Sequence, residues 1–176
     1  MATTLMLTGD VNLMNVTDPE APFVRVKDYL ARADVRFANL ECCFYEAPGK
    51  RSRTDEGFYA SPAAVSALRI AGFNAVGTAN NVNYGAEAIV SSVRALDGAG
   101  IAHTGSGANS VAAHAPAIVQ AKGARVGFLQ RTSVYWPTNH EAGENSPGVA
   151  AMRGETAYRV PVHRGLRSDH DICLFT

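Results

Sequence analysis

The chain has 176 residues, of which 47% are hydrophobic and 18% charged, which fits one packed domain and excludes wholesale disorder. Sixteen Lys and Arg balance sixteen Asp and Glu, so the basic footprint of a nucleic-acid-binding protein is missing. Membrane insertion is excluded in the same way: the uncharged run between Asp97 and Lys122 holds Gly, Ser, Asn, two His and Pro116, too polar for a bilayer span.

Met1 to Leu7 lacks the basic start of a secretory leader, and the three cysteines make no disulfide framework. A cytoplasmic location is the resulting expectation, with the adjacent Cys42 and Cys43 acting as small buried hydrophobes.

In chain order, Thr4 to Thr8 reads as a strand closed by Gly9-Asp10, and Pro22 to Ala33 as a helix with Phe23, Val26, Leu30 and Ala33 on one face. Val35 to Ala38 is a second strand ending at Asn39-Leu40-Glu41, and residues 46 to 56 are a polar connector. Ser61-Pro62 starts a helix carrying Val65, Leu68 and Ile70 and stopping at Gly72. Asn74 to Thr78 is a buried strand that runs into Ala79-Asn80-Asn81. Gly85 opens a helix with Ile89, Val93 and Leu96 on one face, Ile101 to Thr104 is a short strand, and Gly105-Ser106-Gly107 breaks it. Segments 115–121 and 124–130 flank Lys122-Gly123 as a β-hairpin, and 131–148 is a long loop. The alternation defines an α/β fold over residues 1–152, followed by an unpatterned, Arg-rich tail over 153–176.

The strand ends carry the chemistry. The first delivers Asp10 and Asn12, the second Asn39 and Glu41, the third Asn80, Asn81 and Asn83, the fourth His103, and the hairpin Gln130 and Arg131. Ligands of open α/β sheets bind at the carboxyl ends of parallel strands. Carboxylates with amide oxygens suit Mg2+ or Mn2+ better than zinc. Taken singly, Asp10 and Asn39 are ordinary helix caps or turn residues and Asn80-Asn81 an ordinary turn; the recurrence after every strand points to a site. Other motifs fall away. The glycine run at 105–107 is followed by no Gly-Lys-Ser or Gly-Lys-Thr, which rejects a P-loop, and Ser133 lacks a nucleophile elbow. Tyr135, Trp136 and His140 are candidates to line a pocket mouth, against the plainer reading of aromatics that pack the long loop down.

Thr8-Gly9-Asp10-Val11, Ala33-Asp34-Val35-Arg36-Phe37-Ala38-Asn39-Leu40-Glu41 and Ala71-Gly72-Phe73-Asn74-Ala75-Val76 leading to Ala79-Asn80-Asn81 together resemble the CapA family. These are bacterial capsule or poly-gamma-glutamate synthesis proteins with a calcineurin-like metallophosphatase fold. Leu96 to Ile101, Gly105 to Asn109 and Pro116 to Val119 continue in the family's order, so the resemblance covers about residues 4 to 133. It implies a layered metallophosphatase-like α/β fold and a metal-dependent hydrolase role in capsule or envelope polymer synthesis. By the same resemblance Asp10, Glu41 and Asn80 or Asn81 are site residues, with Asp10, Glu41 and Asn81 assigned to a divalent metal and Asn80 to catalysis. His103, at a neighbouring strand end, is the candidate to stand in for a catalytic histidine, against the plainer reading of a hydrogen-bonded structural residue. Asn39 and Arg131 then meet the substrate, an anionic polymer or a phosphate-bearing small molecule.

Two departures accompany it. Val82 stands where the family has the histidine of Asn-Asn-His, and Asn83 where it has an Asp. The family's His-Trp-Gly strand and Gly-His-x-x-His segment do not occur in these residues, so the fold is expected to be incomplete at the C-terminus, the chain being part of a longer protein or a truncated product. A non-catalytic binding or accessory module is the alternative reading. Family members are often exported, which pulls against the cytoplasmic expectation.

Overall fold

The computed structural model describes residues 2–46, 58–135 and 140–154. The polar connector lies outside them from residue 47 on, as do Trp136 and the tail from residue 155. In chain order the elements are β1 (Leu5–Val11), α1 (Lys27–Leu30), β2 (Val35–Leu40), β3 (Cys43–Phe44), β4 (Tyr59–Ala60), α2 (Val65–Ala71), β5 (Ala75–Gly77), α3 (Ala86–Ala99), β6 (Ala102–Thr104), β7 (Ser106–Gly107), α4 (Ser110–His114), β8 (Ala117–Ala121), β9 (Ala124–Phe128) and β10 (Gly148–Val149). Single 3-10 turns, Ala21–Phe23 and Pro62–Ala64, precede α1 and α2.

The centre is a parallel sheet of order β1-β2-β5-β6. Alternation divides its side chains between two faces. Ala38, Leu40 and Val76 point to one face and pack with Leu30, Leu68, Phe73 and Leu96 beneath the helices. Val35, Phe37 and Ala75 point to the other and meet Ala117 and Phe128 of the β8-β9 hairpin. Phe37 and Phe128 stack there with ring centroids 4.5 Å apart and planes 12° from parallel. Leu40 and Leu68 are fully buried, each stabilising the fold by roughly 1.5–3 kcal/mol.

The mixed α/β class and the parallel sheet are as the sequence predicts. The hairpin also forms as expected, with Lys122 (φ 49°) and Gly123 (φ 82°) as the two left-handed residues of a tight primed turn. Four local expectations are corrected. The helix predicted over Pro22 to Ala33 reduces to a 3-10 turn and the four residues of α1, with Val24 and Val26 exposed and no side-chain cap. Two β-branched residues in solvent give a helix little to hold it. Ser106–Gly107 is not only a break but pairs antiparallel with Gly148–Val149. The small parallel pair β3-β4 and the helix α4, capped by Asn109 Oδ1 on the Ala112 N–H, form where no element is expected.

Among the described residues, no helix is long and apolar enough to cross a membrane.

Candidate functional site

One irregularity positions the site. Between Leu7 and Asp10, β1 carries an extra residue relative to β2, so Leu7 pairs with Phe37 but Asp10, not Gly9, pairs with Asn39. A one-residue bulge moves every later side chain to the opposite face. Asp10 therefore shares the hairpin side of the sheet with Asn39. Glu41, two residues beyond Asn39 in the same chain, projects to that side as well, and its N–H donates to the Val11 carbonyl at 2.8 Å.

Asn39 is the centre of what gathers there. Its Nδ2 donates to Asp10 Oδ1 at 2.8 Å and to Glu41 Oε2 at 2.6 Å. Its Oδ1 accepts from Asn80 Nδ2 at 3.1 Å and from Gln130 Nε2 at 2.9 Å. All the hydrogen-bonding capacity of this carboxamide is in use. Because one nitrogen holds both carboxylates, their two oxygens cannot lie further apart than its two bonds laid end to end.

The inner partners are anchored on backbone. Asn80 Nδ2 also donates to the Leu40 carbonyl at 2.9 Å, and its Oδ1 accepts the N–H groups of Val82 and Asn83 at 3.2 and 3.0 Å. Asn83 Nδ2 donates to the carbonyls of Leu40 and Thr78 at 3.1 and 2.7 Å, while its Oδ1 accepts from Cys43 Sγ at 3.4 Å. Gln130 Oε1 accepts the Ala79 N–H at 2.8 Å. To reach that amide the Gln130 side chain lies directly over Gly77, in the space that a Cβ there would fill. Glycine at residue 77 is a requirement of close approach, not of backbone angle.

Burial separates the two acids. Burial, set first against the Asn39 hydrogen bond and reinforced by nearby Asp10, holds the Glu41 carboxyl above the ordinary glutamate range. Asp10 is exposed. Beside them, burial pushes the Cys42 thiol up to about 11, which leaves it a protonated, inert core residue, as expected from the sequence.

The structure thus brings together Asp10, Asn39, Glu41 and Asn80 of the expected residues, and adds Gln130. The other three stand elsewhere. His103 pairs with Val76 in the sheet and faces the helices, where its Nε2 meets Asp97 Oδ1 of α3 at 3.2 Å; strand alternation puts it on the face opposite Asn39. Asn81 is exposed, and no described hydrogen bond ties it to the network. Arg131 turns its guanidinium to the carbonyls of Gln130 and His114 at 2.7 and 3.0 Å, bracing the hairpin exit against the end of α4. His140 is fully buried and packs edge-on to Tyr84, as an aromatic that pins the long loop. Gln130 was legible as a strand-end residue; its partnership with Asn39, 91 positions away, was not.

This construction defines a class: an α/β domain that gathers polar groups at the carboxyl ends of parallel strands, where such folds bind ligands. Within the class, residues 4–170 match the family model described as bacterial capsule synthesis protein PGA_cap, and the chain belongs to that family, as its resemblance to CapA implied. Two uncharacterized proteins of Sinorhizobium fredii, y4sH and y4uA, are each 31% identical to it over 169 residues. Those alignments cover 86% of this chain and 36% of either relative, so the chain spans about a third of their length.

Proposed function

We propose that this domain acts on the anionic polymer of a bacterial capsule, or on a phosphate-bearing precursor, at a divalent-cation site formed by Asp10 and Glu41. One observation carries the reading: a single nitrogen of Asn39 bonds both carboxylates, at 2.8 and 2.6 Å, which brings them near enough for small side-chain shifts to close them on one ion with oxygens at about 2.0–2.6 Å. The donor set fits Mg2+ or Mn2+, which bind through one or two carboxylates and complete their shell with water and substrate oxygens. When bound, such an ion supplies Lewis-acid polarisation of a phosphoryl or carboxyl oxygen. Glu41, held above its ordinary range by burial, is the group of the cluster that would give up its proton when a cation binds. Arg131, fixed beside Gln130, adds positive charge to the field that an arriving anion meets.

A second reading, a non-catalytic binding or accessory module, has its own observation. Val82 is buried where the family carries a histidine, and among the described residues no group of three His, Cys, Asp or Glu side chains is arranged to hold a metal. Thermal melts and calorimetric titration with Mg2+ and Mn2+, followed by an assay on p-nitrophenyl phosphate, separate the two. The first reading expects a cation-dependent rise in Tm that shrinks in Asp10→Asn and Glu41→Gln, together with turnover. A cation response without turnover selects the second reading, and no response from the wild-type chain ends the first.

A further inference from the structure

The network around Asn39 has a polarity, and the backbone imposes it. A carboxamide can be turned end for end with little change of shape, so its orientation is decided by its partners. Here the partners at the far ends are main-chain groups with fixed roles. The Ala79 N–H can only donate, so it takes the oxygen end of Gln130 and leaves Nε2 to face Asn39. The Leu40 carbonyl can only accept, and the N–H groups of Val82 and Asn83 can only donate, so Asn80 likewise presents Nδ2 to Asn39. Two donors converging on one end of Asn39 require that end to be the oxygen. The NH2 end is then driven outward onto Asp10 and Glu41.

We propose that Gln130 is a positioning residue: it relays the polarity of the Ala79 N–H to Asn39 and fixes the NH2 end of that side chain on the carboxylate pair. Asn80 cannot do this alone. Its Nδ2 divides between Asn39 and the Leu40 carbonyl, at 3.1 and 2.9 Å, whereas Gln130 Nε2 points at Asn39 at 2.9 Å. A consequence follows for the site, and it rests on the cation reading given above. With its oxygen held inward, Asn39 contributes no ligand to an ion between Asp10 and Glu41, and its NH2 group occupies the approach. Releasing Asn39 strengthens cation binding.

The test uses the full chain with labelled asparagine side chains, and reads the hydrogen exchange of the Asn39 NH2 group by NMR. Gln130→Met keeps the length of the side chain and removes both hydrogen bonds. Gln130→Leu also removes both hydrogen bonds, with a shorter branched side chain, so it serves where the first variant folds poorly. Thr78→Val is the control, since Thr78 is fully buried and bonds Thr104 and Ser106 without touching Asn39. Losing one net hydrogen bond of about 1 kcal/mol corresponds to about fivefold faster exchange in either Gln130 variant, with the control unchanged. Calorimetry with Mg2+ then shows tighter binding in Gln130→Met than in wild type. Exchange unchanged in both Gln130 variants, or equally raised in Thr78→Val, overturns the proposal even where wild type binds Mg2+. Faster exchange in a protein that binds no Mg2+ upholds the role of Gln130 and removes the cation reading alone.

Discussion

On the inner side of Asn39, Asn80, Asn83 and Gln130 spend their amides mainly on backbone groups, with Asn80 and Gln130 also donating to Asn39; on its outer side, Asp10 and Glu41 receive one hydrogen bond each from Asn39. Asn80 and Asn83 are buried and Gln130 is half buried, so an unmade bond at the two asparagines would carry a desolvation cost of its own. The outer groups are exposed or half buried, where water replaces a lost partner cheaply. Neighbours a few ångströms apart are thus subject to different rules, stability inside and adjustable charge outside.

The largest effect is expected from Asn83→Ala. The change takes one of two donors from each of the Leu40 and Thr78 carbonyls, which keep the Asn80 Nδ2 and the Asn80 N–H, and leaves Cys43 Sγ without this acceptor, all behind the sheet's carboxyl edge. A loss of about 2–4 kcal/mol in urea denaturation is predicted, from the usual cost of opening a buried hydrogen-bond network. A loss under about 1 kcal/mol would mean that water reaches this cluster and that the inner side is not a dry scaffold.

Gly77→Ala comes next. The new methyl group takes the space of the Gln130 carboxamide, and the backbone of β5, pinned between β2 and β6, has little freedom to yield. About 1–3 kcal/mol of destabilisation is expected. The detached Gln130 should also release the Asn39 NH2 group, so that this variant and Gln130→Met agree in hydrogen exchange while differing in stability.

How much of this could be read from the sequence depends on where each piece gets its information. The strands β1, β2 and β5 were legible because short apolar runs end in Asp10, Asn39 and Asn80, and the hairpin because Lys122-Gly123 announces its own turn. The bulge before Asp10 was not, since an extra residue in one strand exists only relative to its neighbour. That relation also decides faces. His103 stands at a strand end as Asn39 does, yet alternation sends it to the helices and Asp97. The short helix α4 escaped because five residues show no period, although its Asn109 cap was a usable sign. Gln130 escaped as a partner because a contact across 91 residues leaves no local trace.

The outer side should show itself through pH. Below the ordinary glutamate range Glu41 is protonated in the folded and the unfolded chain alike, and its burial costs nothing. As pH rises the unfolded chain releases this proton first, because the folded value is raised. Folding stability therefore declines through that window, and the deficit is complete above the folded value. Glu41→Gln does not titrate, so it should gain on wild type as pH climbs through the acid range, with the two nearly equal at the acid end. Urea midpoints measured at a series of pH values check this, and a gain running in the opposite sense would show the Asn39 hydrogen bond outweighing burial.

The smallest effect on stability is expected from Asp10→Asn, which makes it the sharpest probe of the divide. Asp10 is exposed and receives a single described hydrogen bond, from Asn39, which an asparagine oxygen can still accept. Stability should stay within about 0.5 kcal/mol of wild type. The charge is gone, however, and with it the repulsion that helps to hold Glu41 high. An NMR titration of the side-chain carboxyl carbons should then find Glu41 at lower pH than in wild type, with burial alone still keeping it above the ordinary range. If Asp10→Asn instead destabilised the fold as strongly as Asn83→Ala, the carboxylate pair would belong to the dry scaffold. Asn39 would then have no outer side, and a site open to a cation would have to be sought elsewhere in the chain.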